Sequence, residues 1–122
     1  MNARGTLGRE GEDIAAAYLV QKGFHIVTRN DRRRWGELDI VAVAPDRTLV
    51  FVEVKTMRPG RLKPEDQLSK GKLRRFATAA GLYAGIHQEL ARPDRGWRMD
   101  AIAVIIPHDG AAPKLTHYLN VR

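Results

Sequence analysis

Cysteine is absent from this chain of 122 residues. Its absence excludes disulfide bonds, thiolate zinc sites and a cysteine nucleophile, and it favours the cytoplasm as the location. No run of apolar residues approaches the ~20 needed to span a membrane, and the first residues lack the apolar core of a secretory signal. A chain of this length predicts one domain that comprises residues 1–122.

Acidic residues are scarce relative to basic ones. The 14 aspartates and glutamates stand against 21 lysines and arginines, which gives a formal net charge of +7. Such an excess on a small protein favours an anionic partner, with nucleic acid first and an anionic membrane surface second. No strongly basic amphipathic helix of the membrane-surface type is evident, so we expect nucleic acid and no membrane.

Two apolar runs rich in β-branched residues dominate the middle of the chain. They are Glu37–Ala44 and Thr48–Lys55, and a short break containing Pro45 and Asp46 separates them. This pattern predicts a β-hairpin. A three-residue and a five-residue loop remain open, because Arg47 stands where a three-residue loop usually has glycine.

Charged residues interrupt these predicted strands at matching positions. If a loop of either length is centred on Asp46, Asp39 lies opposite Glu53, and Glu37 lies opposite Lys55. Directly opposed residues share a face of the sheet, with Cβ atoms roughly 5 Å apart. A slip of one residue would place the two carboxylates on opposite faces, so the prediction depends on the register.

Two opposed carboxylates repel each other, and a divalent cation removes the repulsion. Mg²⁺ accepts one or two protein carboxylates and takes its other ligands from water and from substrate phosphates. Lys55 could orient or deprotonate the attacking water, or stabilise charge on the phosphorane. Asp39, Glu53 and Lys55 therefore form a candidate site for metal-assisted phosphodiester hydrolysis. The alternative is a solvated strand end, with Glu37 and Lys55 in a weak surface ion pair.

Basic and aromatic residues precede the hairpin. The segment Asp31–Trp35 is predicted as a loop, and its candidate contacts to nucleic acid are Arg32, Arg33, Arg34 and Trp35. Arginines bind phosphates, and a tryptophan stacks on a base or sugar. The alternative is a solvated charged loop with the indole packed against the sheet.

More cations follow the hairpin. The segment Thr56–Gln67, which contains Arg58, is predicted as a loop that handles substrate. A helix is predicted from Gln67 or Ser69 to about His87. Cations near the N-terminus of this helix interact unfavourably with the helix dipole, and an anionic partner would relieve that repulsion. Lys72 and Arg75 are therefore candidate phosphate contacts.

The first helix is predicted over Thr6–Lys22, ended by Gly23. Glu12 lies off its apolar stripe, where an isolated glutamate is typically solvated. Glycines at positions 5, 8 and 11 follow no strand and precede no Gly-Lys-Ser/Thr, which excludes a nucleotide-binding loop. Close packing of the backbone near the site is the more plausible use of these glycines.

The remaining elements complete an α/β pattern. Strands are predicted over Phe24–Asn30, Trp97–Ile106 and Lys114–Leu119. The order α-β-β-β-α-β-β predicts a mixed sheet flanked by helices, with the fourth strand joined through the second helix by a right-handed crossover. Asp100 in the fourth strand is interpreted as structural, paired with Arg98 or with a basic group of another element.

Several motifs carry a family resemblance. They are Gly8-Arg-x-Gly11-Glu12-Asp13-x-Ala15, Tyr18-Leu19-x3-Gly23-Phe24, Arg29-Asn30, Gly36–Ala42, Leu49–Thr56, Lys72-x2-Arg75 and Arg98–Asp100. Over residues 4–106 the chain resembles the uncharacterised bacterial YraN-like family, whose members are expected to be endonucleases related to archaeal Holliday junction resolvases. The spacing Asp-x13-Glu-x-Lys resembles the PD-(D/E)xK motif of restriction-endonuclease-like nucleases.

The resemblance implies a restriction-endonuclease-like core and a Mg²⁺- or Mn²⁺-dependent endonuclease acting on structured or branched DNA. It implies that Glu12 joins Asp39 and Glu53 as a metal ligand, and that Lys55 is catalytic with Glu37 tuning the acidic cluster. Junction-cutting relatives act as symmetric dimers, which implies a homodimer. Two alternatives remain open: a non-catalytic nucleic-acid-binding module on the same fold, and a basic scaffold for an acidic protein partner.

Overall fold

A five-stranded mixed sheet with helices on its faces makes up the described part of the protein, a computed structural model that covers residues 3–60, 69–91 and 93–121. Its elements are α1 (Ala3–Gln21), β1 (His25–Arg33), β2 (Gly36–Val43), β3 (Leu49–Met57), α2 (Lys70–Ile86), β4 (Trp97–Ile105) and β5 (Lys114–Tyr118), with a short 3-10 turn at Gln88–Leu90. The strands follow chain order across the sheet, and β3 and β4 are parallel while the other neighbours are antiparallel. The predicted α/β class and element order are confirmed.

The two helices cover opposite faces of the sheet. Side chains alternate along β3, so Val50 and Val52 belong to the core under α1, while Leu49 and Phe51 belong to the core under α2. All four are completely buried. The site-bearing strands β2 and β3 are therefore held between two apolar layers, which fixes their positions.

α1 is shaped by two glycines. Gly23 has a φ of 90° and ends the helix, as predicted. Gly11 lies so close to β3 that a Cβ there would approach the Thr56 Cβ to 2.7 Å, whereas Gly8 has open space around it. The predicted close packing at glycine is thus present at Gly11 and absent at Gly8. No helix in the described ranges is long and apolar enough to cross a membrane.

α2 begins with a side-chain cap. The Ser69 hydroxyl accepts a hydrogen bond from the Lys72 backbone N–H at 3.2 Å, which satisfies one of the free N–H groups of the first turn. Its buried residues are Phe76, Ala79, Ala80, Tyr83 and Ala84. Residues 61–68 lie outside the described part of the chain, and with them most of the predicted substrate-handling loop.

The predicted loop over Asp31–Trp35 is wrong in its first three residues. β1 continues to Arg33, so β1 and β2 form a second hairpin, and only Arg34 and Trp35 form its turn. The Arg33 Nε donates to Asp31 Oδ1 at 2.9 Å, so two opposite charges pair within this strand. Charged residues are also common on edge strands, where they discourage pairing with another chain.

The turn between β2 and β3 is a three-residue loop. The Ala44 N–H donates to the Thr48 carbonyl at 2.9 Å, and the Arg47 N–H donates to the Ala44 carbonyl at 2.8 Å. Arg47 adopts a φ of 74°, the left-handed conformation that usually requires glycine. The Asp46 carboxylate accepts the Thr48 N–H at 3.0 Å, which helps to hold this turn without a glycine.

Candidate active site

The paired strands β2 and β3 separate into a fork at one end of the sheet. Their pairing ends at Ile40 and Val52, although β2 remains paired with β1 to its first residue, and β3 remains paired with β4 to its last. Beyond this point each strand follows a different neighbour. Asp39 lies at the base of the fork on β2, and Glu53 and Lys55 lie on the β3 branch.

Asp39 bridges the base of the fork. Its Oδ2 accepts a hydrogen bond from the Val54 backbone N–H at 2.8 Å, a donor that would otherwise face the diverging strand. The alternation of side chains along β2 also breaks here, because Leu38 packs under α2 and Ile40 packs under α1. The local twist of β2 at Asp39 thus directs its carboxylate across the fork toward β3.

The fork concentrates negative charge. Burial, followed by the charge of Glu53, raises the pKa of Asp39 to about 7, and the Val54 N–H only partly offsets this rise. Glu12 and Glu37 contribute further in the same direction. An aspartate that holds its proton near neutral pH, because it is buried and lies near other carboxylates, is typical of functional sites and of positions where a cation binds.

Lys55 contributes a positively charged ammonium group to the fork. Its Nζ lies 3.3 Å from Glu53 Oε1, and the side chains of Lys55 and Glu53 are 22% and 23% exposed. The two residues are two apart on β3, so they share a face of the strand. The site therefore combines an ammonium group with two carboxylates and remains accessible to solvent.

The predicted register is confirmed, and one predicted pair is wrong. Ile40 pairs with Val52, the register that places Asp39 beside Glu53. Glu37 does not meet Lys55, because the strands have already separated at that level. Its Oε1 instead accepts a hydrogen bond from Arg32 Nε at 3.3 Å on the β1 side.

Glu12 reaches the same region from α1. It is 9% exposed, and its Oε1 accepts hydrogen bonds from Arg29 Nε at 3.1 Å and from Asn30 Nδ2 at 2.9 Å. Sequence reasoning placed Glu12 at the site only through the family resemblance, and it missed both partners. An asparagine inside an otherwise extended strand was the signal available, since asparagine favours turns and left-handed backbone.

The carboxylates of Asp39 and Glu53 suit a cation such as Mg²⁺, which needs few protein ligands. Within the ranges that the structure describes, no three histidine, cysteine, aspartate or glutamate side chains are grouped closely enough to hold a metal ion by themselves. Mg²⁺ needs only one or two protein carboxylates when phosphates and water complete its shell. The pair Asp39 and Glu53 meets that requirement, and a site made only of histidine and cysteine ligands does not fit.

The basic residues before β2 lie at the fork end of the sheet. Arg32 is paired with Glu37, and Arg33 with Asp31, whereas Arg34 is exposed in the turn. Trp35 is 37% exposed, so its indole is not buried against the sheet. Arg34 and Trp35 are therefore the members of this group with the most freedom to contact a ligand.

The N-terminal half of α2 lies at the same end. A Cβ at Gly36, the first residue of β2, would lie 3.3 Å from the Ala79 Cβ and 3.9 Å from the Arg75 carbonyl. Lys72 and Arg75 are exposed on this half of the helix. Arg58, by contrast, donates to the Ile106 and Pro107 carbonyls at 3.2 Å, so its guanidinium fastens the end of β3 to the end of β4.

Asp100 is structural, as predicted, and completely buried. It accepts hydrogen bonds from Arg98 Nε at 3.1 Å, His117 Nε2 at 2.8 Å and the Asn120 N–H at 3.0 Å. Burial raises the pKa of Asp100, but these bonds outweigh it and hold the pKa below its ordinary value. His117 also contacts the Tyr18 hydroxyl at 3.1 Å, a link between β5 and α1 that sequence spacing did not reveal.

Comparison with known proteins places the chain among bacterial relatives. The model of the uncharacterised protein family UPF0102 matches residues 11–104. A UPF0102 protein of Streptomyces griseus is 44% identical over 112 residues, which is 91% of this chain and 92% of the relative. A UPF0102 protein of Mycobacterium ulcerans is 43% identical over 120 residues, or 94% of this chain and 93% of the relative. These matches confirm the resemblance to the YraN-like family that the motifs indicated. The chain belongs to the uncharacterised protein family UPF0102.

Proposed function

We propose that this protein is a metal-dependent endonuclease that hydrolyses phosphodiester bonds in structured or branched DNA. The observation that carries the proposal is the fork, where the pKa of Asp39 is raised to about 7 beside Glu53 and Lys55. A divalent cation would relieve the repulsion between the two carboxylates, so the fork favours Mg²⁺ or Mn²⁺ binding.

Asp39 and Glu53 would hold the cation, with the Val54 carbonyl as a further oxygen, and Glu12 would complete the acidic cluster from α1. When bound, the cation would polarise the scissile phosphate and neutralise charge that develops on it. The Val54 N–H fixes Asp39 through Oδ2 at 2.8 Å, so the carboxylate is oriented before any ligand arrives. Pre-oriented groups lose less freedom in the reaction and therefore contribute more to its rate.

Lys55 would act on the reacting groups directly. Glu53 holds its ammonium group at 3.3 Å, which places a positive charge within the acidic cluster. From there Lys55 would orient the attacking water and stabilise the negative charge that builds on the phosphate oxygens. Glu37 lies farther out, paired with Arg32, and its role would be to tune the charge of the cluster.

The exposed cations at the fork end support an anionic polymer as the substrate. Arg34 and Trp35 in one turn, with Lys72 and Arg75 on α2, would contact phosphates and bases on either side of the fork. Arg32, Arg33 and Arg58 would contribute charge, although their guanidinium groups are already engaged within the protein. Two fork sites are needed to cut both strands of a branched duplex, which favours a homodimer.

A cleavage assay on a small panel of substrates tests the proposal. Linear duplex, single strand, flap and four-way junction are each incubated with Mg²⁺, with Mn²⁺ and with EDTA. We expect metal-dependent cutting that falls about 100-fold or more in Asp39→Asn, Glu53→Gln and Lys55→Met, while binding to DNA is retained. Asp46→Asn is the matched control, because it changes an exposed carboxylate at the opposite end of the same hairpin.

The outcome separates the candidate functions. Cutting that survives in Glu53→Gln at the level of the wild type would refute this site. No cutting of any substrate, with DNA binding intact at low salt, would favour the non-catalytic nucleic-acid-binding module.

One observation favours that second candidate. The described residues contain no group of three side chains that could hold a metal ion alone. A binding module on the same fold would need none. It predicts affinity that falls with salt at a slope near −0.9 for each phosphate neutralised, and no dependence on metal.

A further inference from the structure

We infer that Asn30 is a positioning residue of the fork: together with Arg29 it holds the Glu12 carboxylate in place beside Asp39. The inference rests on the proposed function, because the purpose of this arrangement is to present a carboxylate to a bound cation. The family resemblance placed Glu12 at the site, but the sequence assigned neither Asn30 nor Arg29 to it.

The backbone of β1 is bent at this position. Asn30 has a φ of 55°, a left-handed conformation inside a strand that is otherwise extended. Its neighbours Arg29 and Asp31 pair with Ile40 and Leu38 of β2. Asn30 therefore occupies the register position opposite Asp39, at the base of the fork.

This bend has a consequence for side-chain direction. In a regular strand, consecutive side chains point to opposite faces of the sheet. Arg29 and Asn30 are consecutive, yet both donate to the same oxygen of Glu12, at 3.1 Å and 2.9 Å. The left-handed residue breaks the alternation and turns both donors toward α1.

Asparagine meets two requirements at once. Among residues with a side chain it is one of the few that adopt left-handed backbone readily, and its short amide supplies a donor close to the backbone. A glycine would keep the backbone conformation and lose the donor. A β-branched residue would lose both, since a positive φ is a true outlier for such side chains.

The two bonds also orient the carboxylate. Both use Oε1 of Glu12, so Oε2 is the oxygen that a cation would take. The Arg29 guanidinium also binds Asp13 Oδ1 at 2.6 Å, which ties its charge to α1 and balances the buried glutamate. The charge of Glu12 also contributes to the raised pKa of Asp39, after burial and the charge of Glu53.

Binding of Mn²⁺ to the metal-free protein, measured by isothermal titration calorimetry without nucleic acid, tests this inference. The variants are Asn30→Gly, Glu12→Gln and the double variant. Asn120→Gly is the matched control, because Asn120 has the same φ of 55° and its bond to Asp100 comes from the backbone N–H, which glycine retains. We expect Asn30→Gly to weaken Mn²⁺ binding about 10-fold, as is common when a partner of a metal ligand is lost.

The double variant decides whether Asn30 acts through Glu12. We expect it to bind Mn²⁺ no more weakly than Glu12→Gln alone, and Asn120→Gly to bind as the wild type does. Unchanged binding in Asn30→Gly, or a further loss in the double variant, would overturn the inference and leave the proposed function standing. A wild-type protein that binds no Mn²⁺ would overturn the metal site and the inference together.

Discussion

The contact between Gly11 and Thr56 yields a sharp prediction for two alanine variants of one helix. In a helix interior, replacing glycine by alanine stabilises a protein by up to about 1 kcal/mol through backbone entropy alone. Gly8 has nothing within 4 Å of its missing Cβ, so Gly8→Ala should show this gain. Gly11→Ala has the same intrinsic gain but must accommodate a methyl group against β3.

The magnitude at Gly11 follows from which atoms it would meet. The new Cβ would lie 2.7 Å from the Thr56 Cβ and closer still to its Oγ1. A change of rotamer moves Oγ1 and Cγ2 but not Cβ, so α1 has to shift away from the sheet. Overpacking of this kind costs about 1–3 kcal/mol. After the entropy gain, we expect Gly11→Ala to be less stable than the wild type by up to about 2 kcal/mol.

Urea denaturation monitored by circular dichroism measures both variants, which should differ by the overpacking cost of about 1–3 kcal/mol, or roughly 5–15 °C in Tm. Replacing Thr56 by alanine removes two of the three close atoms, so it should recover part of the loss in Gly11→Ala. A Gly11→Ala protein as stable as Gly8→Ala would refute the close approach of α1. It would also remove the basis for placing Glu12 at the fork.

Three further predictions concern charge. Asp39→Asn should stabilise the metal-free protein above pH 7 by about 4 kcal/mol and change nothing below about pH 4, as measured by urea denaturation. Between these pH values the wild-type native state retains a proton on Asp39 that the unfolded chain has lost. Asp100→Asn should destabilise the protein by about 3 kcal/mol near neutral pH, since it unbalances a buried ionic network. That deficit should shrink as the pH falls through the lowered pKa of Asp100. Lys72→Ala should reduce the salt slope of DNA binding by about 0.9 in a fluorescence anisotropy titration, while Arg95→Ala, at the opposite end of the sheet, should not.

Each of these has an opposite outcome that is easy to recognise. If Asp39→Asn lost stability near pH 8, the native protein would stabilise the ionised Asp39 carboxylate rather than disfavour it. An Asp100→Asn protein with wild-type stability would show that the network contributes little. Equal salt slopes for Lys72→Ala and the wild type would mean that Lys72 contacts no phosphate, which would argue against binding of nucleic acid at α2.

The strand pairing at the centre of the fold could be predicted from sequence, because a loop of odd length centred on Asp46 decides which residues of the two runs lie opposite each other. The pairing of Ile40 with Val52 followed from that parity. The end of the pairing could not be predicted. It depends on β3 remaining with β4 and β2 remaining with β1, and these contacts join segments far apart in the chain. The expected contact between Glu37 and Lys55 failed for this reason.

The site could be predicted only in part, for a related reason. Asp39, Glu53 and Lys55 lie on one hairpin, so local spacing brought them together. Asn30 and Glu12 come from different elements, and their meeting depends on a left-handed residue that no local pattern required. His117 bonds Asp100 across neighbouring strands, a contact that no local spacing predicts.

The fork also depends on the order in which the strands are synthesised. Residues 36–55 leave the ribosome before β4, and until β4 arrives the end of β3 has no parallel partner. A nascent hairpin is then free to pair beyond Val52, bringing Lys55 toward Glu37 as the isolated sequence suggested. Domains fold as units during synthesis, so we expect the open fork to form only when residues 97–105 join the sheet. Asp39, Glu53 and Lys55 would in this way reach their final arrangement only after β4 has been made.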